Sequence, residues 1–530
     1  MEEAEDKLSN LPKFILHNIL SRLISEEAAR TSVLSKTWLD TWYTFPCLCF
    51  CDLDFINEIQ PTEDIPRKSK DFIEYVKSRL LWFWDRRLAI KEFYFAILDL
   101  RYMPNDLDLC LKLVGESVEI LSICLPKYGS ISQDENGQGR GECYVLPKGV
   151  IEVKSLTKLM LEGGIRVDQA FMNHSINKFL SLRELHLLHV LLEDKQAIER
   201  LISCCPLIEV IILMLLSGSM KCLSMHGLQK LNTVYVDGIK EVYIDEAASS
   251  LKSLYYCYDH RLNTPFKIDF IHLKYLKELL LCFNGTTIIT EKWFLELLPK
   301  FPFLETLEIW HCILSDTINI SSVQLKYLRV SDCSNLKEAK IDAPNLLSCG
   351  FEGFHRSKPI ISFLNMSTQL QVRLRISIDD FDVFYVREVL QNIKPQNVFI
   401  SLSLSIFHNY GVDGPKLELL DIPSPPPSIK HMDLYILSEV NETFYSVIVN
   451  FLLLCCVPET ISWVLDTCIN PQAFVEFFYE TLRRRKDDTK CLWREDSSTT
   501  NYSPWRGTIL ESLPNFPARR NITSRLHYLE

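Results

Sequence analysis

Apolar residues between positions 11 and 42 fall at helical spacing. Five of them recur at i, i+4 and i+8 in two neighbouring rows, which makes a broad apolar stripe on one helix: Ile15, Leu16, Ile19, Leu20 and Leu23. Pro12 suits the first turn of that helix, and Ser25 offers an oxygen to cap a second one. Trp38 and Trp42, four residues apart, share a face of a further short helix. The segment predicts a small helical docking module that is stabilised by packing against a partner or against the rest of the chain.

The middle of the chain repeats a different pattern, L-x-x-L-x-L or a conservative variant of it. Its eight units start 20 to 28 residues apart, a period typical of leucine-rich repeats. Cys312 and Cys333 occupy the position where such repeats carry Asn or Cys, and Leu346, Cys349 and Phe351 continue the series. The units are Leu156-Leu159-Leu161, Leu182-Leu185-Leu187, Leu207-Val210-Ile212, Leu231-Val234-Val236, Leu251-Leu254-Tyr256, Leu276-Leu279-Leu281, Leu304-Leu307-Ile309 and Leu325-Leu328-Val330.

No single repeat can bury its own apolar face, so stacked neighbours must share a core. This predicts an irregular solenoid with parallel strands on a concave face and helices or irregular returns outside. Residues 198–205 and 293–298 fit return helices, and residues 429–434 fit a late strand. Residues 72–84 and 88–100, rich in aromatics, are expected to cap the first end, because an uncovered end would expose apolar surface.

Charge and hydropathy limit the cellular setting. The net charge of −11 argues against general nucleic-acid binding, which requires a basic face. The acidic start of the chain lacks the features of a secretory signal, and the longest apolar run, residues 447–457, is too short to cross a bilayer. We therefore expect a chain of the cytoplasm or nucleus that is not secreted and binds neither membrane nor nucleic acid.

The sequence contains no catalytic motif. Eighteen cysteines include Cys204-Cys205 and Cys455-Cys456, but no spacing that gathers four zinc ligands. Residues 137–141 read Gly-x-Gly-x-Gly without the Lys-Ser/Thr of a phosphate-binding loop. Esterase, metalloprotease, P-loop and dinucleotide-binding signatures do not occur. We expect no catalytic residue, no cofactor and no metal.

The first fifty residues resemble the F-box of plant F-box/leucine-rich-repeat proteins, including the F-box/FBD/LRR type. Lys13 and Phe14 stand where that family usually carries acids, and Ile24 where it often carries Pro. In the family this module docks on the Skp-type adaptor of a cullin-RING ubiquitin ligase. The resemblance is carried by Leu11, Pro12, Ile15, Leu16, Ile19, Leu20, Leu23, Ala28, residues 30–36, Trp38 and Trp42.

The combined prediction is an α/β chain in which a small three-helix F-box precedes the leucine-rich-repeat solenoid. Its expected divisions are residues 1–50 as the F-box, 51–150 as linker and cap, 151–482 as the solenoid with a closing unit, and 483–530 as a basic run and loosely ordered tail. The resemblance implies a non-catalytic substrate receptor that binds the adaptor, and through it a cullin, and holds a target protein for ubiquitination. The expected adaptor-binding residues are Leu11, Pro12, Ile15, Leu16, Ile19, Leu20, Val33, Leu34 and Trp38.

Two other functions remain open at this point. A drifted F-box would leave a repeat scaffold for protein–protein interaction outside any ligase. Alternatively, the concave face could hold a small molecule or polyanionic cofactor, which would need several inward-pointing cations. Candidates lie near the strand starts: Lys158, Arg183, Lys230, Lys252, Lys277 and Arg329.

Overall fold

The computed structural model describes residues 8–23, 25–52, 65–97, 104–125, 143–147, 153–167, 179–192, 197–214, 222–258, 267–268, 273–352, 359–365, 367, 369–377, 384, 386–388, 401–407, 428–436, 442–465, 477, 480, 493–495 and 520–528. The glycine-rich segment 137–141, Ile24 and the basic run 483–486 lie outside these residues. The chain divides into two compact units. Unit 1 comprises residues 1–258 and 266–273, and unit 2 comprises residues 259–265 and 274–530.

Unit 1 begins with the predicted helical module. Three short helices build it, with a 3-10 turn at Thr31–Val33 between the second and the third. Ser35 caps the third helix, since its Oγ accepts a hydrogen bond from the Trp38 backbone N–H. The helices of unit 1 are α1 (Lys13–Leu20), α2 (Ser25–Arg30), α3 (Lys36–Tyr43), α4 (Ile65–Asp85), α5 (Pro104–Val114) and α6 (Ala197–Ser203).

The remainder of unit 1 is a parallel repeat array. Eight strands pair in the order β1-β2-β3-β5-β7-β9-β11-β13, every pair parallel and in register. They are β1 (Cys47–Cys51), β2 (Glu92–Ala96), β3 (Ile120–Cys124), β5 (Lys158–Glu162), β7 (Glu184–Leu188), β9 (Val210–Met214), β11 (Thr233–Asp237) and β13 (Ser253–Cys257). Short strands form two more parallel sheets: β4 (Tyr144–Val145) with β6 (Ile165–Val167) and β8 (Leu191–Leu192), and β10 (Cys222–Met225) with β12 (Glu241–Ile244) and β14 (Lys267–Ile268).

Unit 2 repeats the same plan. The strands of its long sheet follow the order β15-β17-β20-β22-β24-β25-β26-β27. Every neighbouring pair is parallel. The strands are β15 (Glu278–Cys282), β17 (Thr306–Trp310), β20 (Tyr327–Ser331), β22 (Ser348–Glu352), β24 (Gln371–Ser377), β25 (Ser401–Phe407), β26 (Ser428–Ile436) and β27 (Val457–Leu465). Shorter strands are β16 (Ile288–Ile289) with β18 (Ile313–Leu314), and β19 (Thr317–Ser321) with β21 (Glu338–Asp342) and β23 (Ile360–Asn365); the helices are α7 (Glu291–Leu297) and α8 (Glu442–Cys455).

Alternation of buried and half-exposed residues explains why these segments are strands. In β5, for example, Leu159 and Leu161 are buried while Lys158, Met160 and Glu162 are not. In register, the buried residues form two apolar rows across unit 1. One row is Leu159, Leu185, Ile211, Val234 and Leu254, and the other is Leu161, Leu187, Leu213, Val236 and Tyr256.

All eight predicted units are confirmed as strands, but the third is out of register by one residue. The buried residues there are Ile208, Ile211 and Leu213, whereas Val210 and Ile212 face the other side. Since Val210–Met214 contains only apolar residues, its sequence does not reveal which alternate set faces the core. A shift of one residue exchanges the two faces of a strand.

In each unit, strands lie outside the predicted bounds of the solenoid, residues 151–482. Strands β1, β2 and β3 pair with one another and with β5, so the array begins before residue 151. At the other end, β28 (Trp493–Glu495) and β29 (Arg520–Tyr528) pair antiparallel with each other, and β29 pairs antiparallel with β27. These residues are strand and not part of the predicted loosely ordered tail.

Candidate functional site

The helical module has a small core of its own. Leu16, Leu20, Ala28, Trp38 and Phe45 are buried together. Half-buried residues pack against this core: Leu11, Ile19, Leu23, Trp42 and Cys47. The core thus uses one side of the α1 stripe and leaves the other side at the surface.

Two polar contacts tie α1 and its approach to α3. Ser9 Oγ lies 2.8 Å from Ser35 Oγ, and Lys13 Nζ lies 2.6 Å from Asp40 Oδ2. Lys13, which departs from the family pattern, therefore has a partner within the module. Both ions of that pair are largely exposed, so the pair orients the helices and contributes little to stability.

The nine predicted adaptor-binding residues separate into three groups. Leu16, Leu20 and Trp38 are buried in the module core, so a partner cannot touch them while the module stays folded. Leu11, Ile15 and Ile19 are half-buried. Pro12, Val33 and Leu34 are exposed, with Val33 at 84% and Leu34 at 66%. The first group holds the module together, and the other two supply its accessible surface.

Other apolar side chains exposed on the module are not among the predicted adaptor-binding residues. They include Leu8, Phe14, Leu39 and Tyr43, of which Phe14 is 72% exposed. The signal was available for Phe14: on α1 it lies two positions from Leu16, roughly opposite the core side of a helix with 3.6 residues per turn. Exposed apolar residues concentrated on a small module indicate a surface that binds another protein.

The side of the unit 1 repeat sheet opposite its buried rows is called here the open face of unit 1, and it carries a mostly apolar row. At the middle of five successive strands, the register aligns Met160, His186, Ile212, Tyr235 and Tyr255. The rings of Tyr235 and Tyr255 stack, with centroids 6.2 Å apart. Apolar and aromatic side chains of this kind, on a rigid sheet, are suited to bind an apolar segment of another protein.

His186 sits in that row as a neutral side chain. It is only 8% exposed, and its Nε2 lies 3.4 Å from Glu184 Oε2. Lys158 Nζ lies closer to the same carboxylate oxygen, at 2.7 Å. Burial, followed by the charge of Lys158, lowers the pKa of His186 to about 4, against the smaller opposing effect of Glu184.

Several of the cations proposed for a small-molecule pocket form ion pairs with carboxylates of a neighbouring repeat. Lys158 pairs with Glu184, Arg183 with Glu209 at 2.8 Å, and Lys277 with Glu305 at 3.0 Å. Glu305 also accepts from Lys326, and hydrogen bonds from both lysines lower the pKa of Glu305. Lys230 and Lys252 are exposed. These carboxylates balance the charge near the strand starts, which does not favour a ring of cations there.

Arg329 differs from the other candidate cations because it lies at the middle of a strand, β20. Its guanidinium carbon lies 4.6 Å from the ring centroid of Trp310 on the neighbouring strand. The Trp310 Nε1–H donates to Glu308 Oε2 at 3.0 Å, and Arg329 Nη1 lies 4.0 Å from that oxygen. The three side chains hold one another in place.

Within the residues that the structure describes, no group of three or more His, Cys, Asp or Glu side chains is arranged to hold a metal ion. Cys312 and Cys333 are free thiols buried 3.3 Å apart, between adjacent repeats. In the part of the chain that the structure describes, no helix combines the length and apolar character needed to span a membrane.

A helical docking module joined to a parallel, leucine-rich repeat array defines a repeat-based binding protein. Residues 8–50 match the F-box domain. Residues 136–264 match the LRR repeats of FBD-associated F-box protein At5g56370, and residues 265–460 match the LRR domain of At1g61320/AtMIF1. Over these ranges the chain is similar to plant F-box/leucine-rich-repeat proteins.

Individual relatives are distant. The F-box/FBD/LRR-repeat protein At1g13570 of Arabidopsis thaliana is 26% identical over 355 residues, covering 65% of this chain and 77% of the relative. A second F-box/FBD/LRR-repeat protein of that plant, At5g22610, is 26% identical over 273 residues, 51% of this chain and 48% of the relative. The chain therefore spans about half the length of some relatives it matches. An internalin from Listeria monocytogenes aligns at 14% identity with a TM-score of 0.30, covering 68% of this chain and 93% of the internalin, which supports no inference.

Proposed function

We propose that this chain is the substrate-recognition subunit of an SCF-type cullin-RING ubiquitin ligase. The observation that carries the proposal is the exposure of Val33 and Leu34 on a module whose core is already filled by Leu16, Leu20 and Trp38. An F-box domain generally implies binding to a Skp-type adaptor, and these exposed side chains are accessible to one.

The repeats would hold the target protein, with the apolar row of unit 1, from Met160 to Tyr255, as the contact surface. The subunit would act without a reacting side chain of its own. It would raise the effective concentration of a target lysine near the ubiquitin thioester that another protein carries. A cytoplasmic or nuclear location is part of this proposal.

The test is adaptor binding by the purified full chain, measured by calorimetry against a plant Skp-type adaptor. A Val33→Asp, Leu34→Asp double variant places two charges where apolar contact is proposed, and should weaken binding by at least about tenfold. Leu295→Asp is the matched control, because Leu295 is 56% exposed on α7 of unit 2. Unchanged binding by the double variant would reject this surface, and a folded wild type that binds no adaptor would leave a repeat scaffold.

A further inference from the structure

Two buried thiols of unit 2 lie within reach of each other across neighbouring repeats. Cys312 follows the end of β17 by two residues, Cys333 follows the end of β20 by two residues, and their Sγ atoms are 3.3 Å apart. Cys312 is 1% exposed and Cys333 is 4% exposed. A disulfide joins its sulfurs at about 2.05 Å, so bond formation needs them to move about 1.3 Å closer together.

The backbone holds the two cysteines side by side. The parallel register of β17 and β20 continues past the ends of both strands, because Ile313 forms a bridge with Ser334. The Ser334 backbone N–H also donates to the Cys312 main-chain oxygen at 2.9 Å. Cys312 and Cys333 are therefore opposite each other. Neighbouring strands lie about 4.8 Å apart, which is within the α-carbon separation of about 4.4–6.8 Å found in disulfides.

The turns that carry the two cysteines match each other. His311 and Asp332, the residues directly before Cys312 and Cys333, both have a left-handed backbone, with φ angles of 51° and 50°. Residues other than glycine adopt this conformation rarely and at an energetic cost. Because the conformation recurs at equivalent positions of two adjacent repeats, the side chains that follow it leave the backbone alike and meet in the interior.

The hydrogen bonds give the two thiols different roles. Cys333 Sγ lies 3.3 Å from the main-chain oxygen of Ser331 and 3.8 Å from that of Ile309. Since a carbonyl oxygen only accepts, the Cys333 thiol donates there, and its sulfur is left to accept from Cys312. That hydrogen bond lowers the pKa of Cys333, against the opposing effect of burial, and raises the pKa of Cys312. Of the pair, Cys333 ionises first, and the thiolate is the reactive form.

Burial limits which oxidant can reach the pair. A bulky disulfide reagent cannot approach thiols that are 1% and 4% exposed while the repeats stay closed. Hydrogen peroxide is little larger than water, so a local opening of the repeat is enough to admit it. A sulfenic acid formed on one cysteine then has the second thiol beside it, and such acids condense with thiols to disulfides.

We propose that Cys312 and Cys333 form a modification site at which peroxide closes a disulfide between two repeats. Peroxide oxidises the Cys333 thiol to a sulfenic acid and releases one water. The Cys312 thiol then attacks that sulfur, which forms the S–S bond and releases a second water. The two thiols supply the two electrons that reduce the peroxide, and a dithiol reductant restores both thiols by becoming a disulfide itself. The bond joins the repeats of β17 and β20 and makes unit 2 harder to unfold.

The test treats the folded full chain with hydrogen peroxide, alkylates the remaining thiols under denaturing conditions and maps the peptides by mass spectrometry. A peptide that links Cys312 to Cys333 should form, exceed any other linked pair of cysteines at least about fivefold, and disappear after treatment with a dithiol reductant. The oxidised chain should also show a midpoint of thermal unfolding at least about 2 °C above that of the reduced chain.

Three variants separate this pair from general thiol oxidation. Cys312→Ala removes the thiol that closes the bond, so Cys333 should accumulate a sulfenic acid that a dimedone reagent traps. Cys333→Ala removes the thiol that reacts first, so Cys312 should stay reduced. Cys349→Ala, on the next strand β22, removes a fully buried thiol and is the matched control, which should leave the linked peptide unchanged. Thermal unfolding of each variant shows that it is folded.

A wild type in which Cys312 and Cys333 both remain open to alkylation after peroxide treatment would overturn the proposal. So would a linkage of either residue to Cys282 in place of the expected pair. Dimedone labelling of Cys312 in the Cys333→Ala variant, with none of Cys333 in the Cys312→Ala variant, would overturn the order of the two steps. The wild-type result needs no substitution, so it decides the proposal even where a variant fails to fold.

Discussion

The guanidinium of Arg79 on α4 donates a hydrogen bond of 2.8 Å to the main-chain oxygen of Tyr43, the last residue of α3. A second bond, of 3.3 Å, reaches the oxygen of Trp42. These oxygens lie at the end of a helix, where a cation is favoured, and the Trp42 oxygen also accepts the Phe45 backbone N–H at 3.2 Å. The guanidinium also lies 4.9 Å from the ring centroids of both Tyr43 and Trp82. One side chain thus fixes the end of the F-box module to the helix that follows it.

Arg79→Met should lower the free energy of unfolding by about 1–3 kcal/mol, because it removes a half-buried charge together with the hydrogen bonds that satisfy helix-end carbonyls. Urea denaturation of the full chain measures this. Arg86→Met is the control: Arg86 also lies over Trp82, at 4.2 Å, but its side chain is exposed, and it should cost less than about 0.5 kcal/mol. Equal effects of the two changes would contradict the role given to Arg79.

The strands were predictable wherever apolar residues alternate with polar ones, as in the Thr-Leu-Glu-Ile of residues 306–309, because only one face can then be buried. The predicted register was wrong at Val210–Met214, because both alternating sets of side chains in that strand are apolar. The apolar stripe of α1 likewise did not distinguish Leu16, inside the core, from Ile15 at its edge. The contact between Arg329 and Trp310 depends on the register of two neighbouring repeats, so a single strand's sequence does not contain it.

Leu16→Ala should destabilise the F-box module by about 2–5 kcal/mol, because Leu16 is fully enclosed in a core of few residues. Hydrogen exchange should rise in α1 and α3, while β5 remains protected. Phe14→Ala, two residues away on the same helix, removes a larger side chain that is 72% exposed and should leave exchange unchanged. The same exchange profile for both variants would mean that the core is wrongly assigned.

His186 should make stability depend on pH. Its pKa is lowered to about 4 in the folded chain, against an ordinary value of 6.5, so below pH 6.5 the unfolded state binds a proton that the folded state does not. Stability attributable to this residue is full above pH 6.5 and falls toward pH 4, with a slope approaching about 1.4 kcal/mol per pH unit. In His186→Gln, urea denaturation at pH 7.0, 6.0 and 5.0 should show a weaker decline than in wild type. Parallel declines would show that His186 does not set the pH dependence.

Tyr256 occupies a position that leucine or isoleucine fills in most repeats, and the structure shows how the larger side chain is accommodated. It is fully buried, and its hydroxyl donates to the Lys240 main-chain oxygen at 3.0 Å. Tyr256→Phe should cost about 0.5–1.5 kcal/mol through loss of this bond, and Tyr256→Leu about 2–4 kcal/mol because a cavity is added. Tyr235→Phe, at a half-exposed position of the neighbouring strand, is the control and should cost less than either. A Leu variant as stable as wild type would mean that this repeat relaxes around the smaller side chain, because a rigid neighbourhood cannot close the cavity.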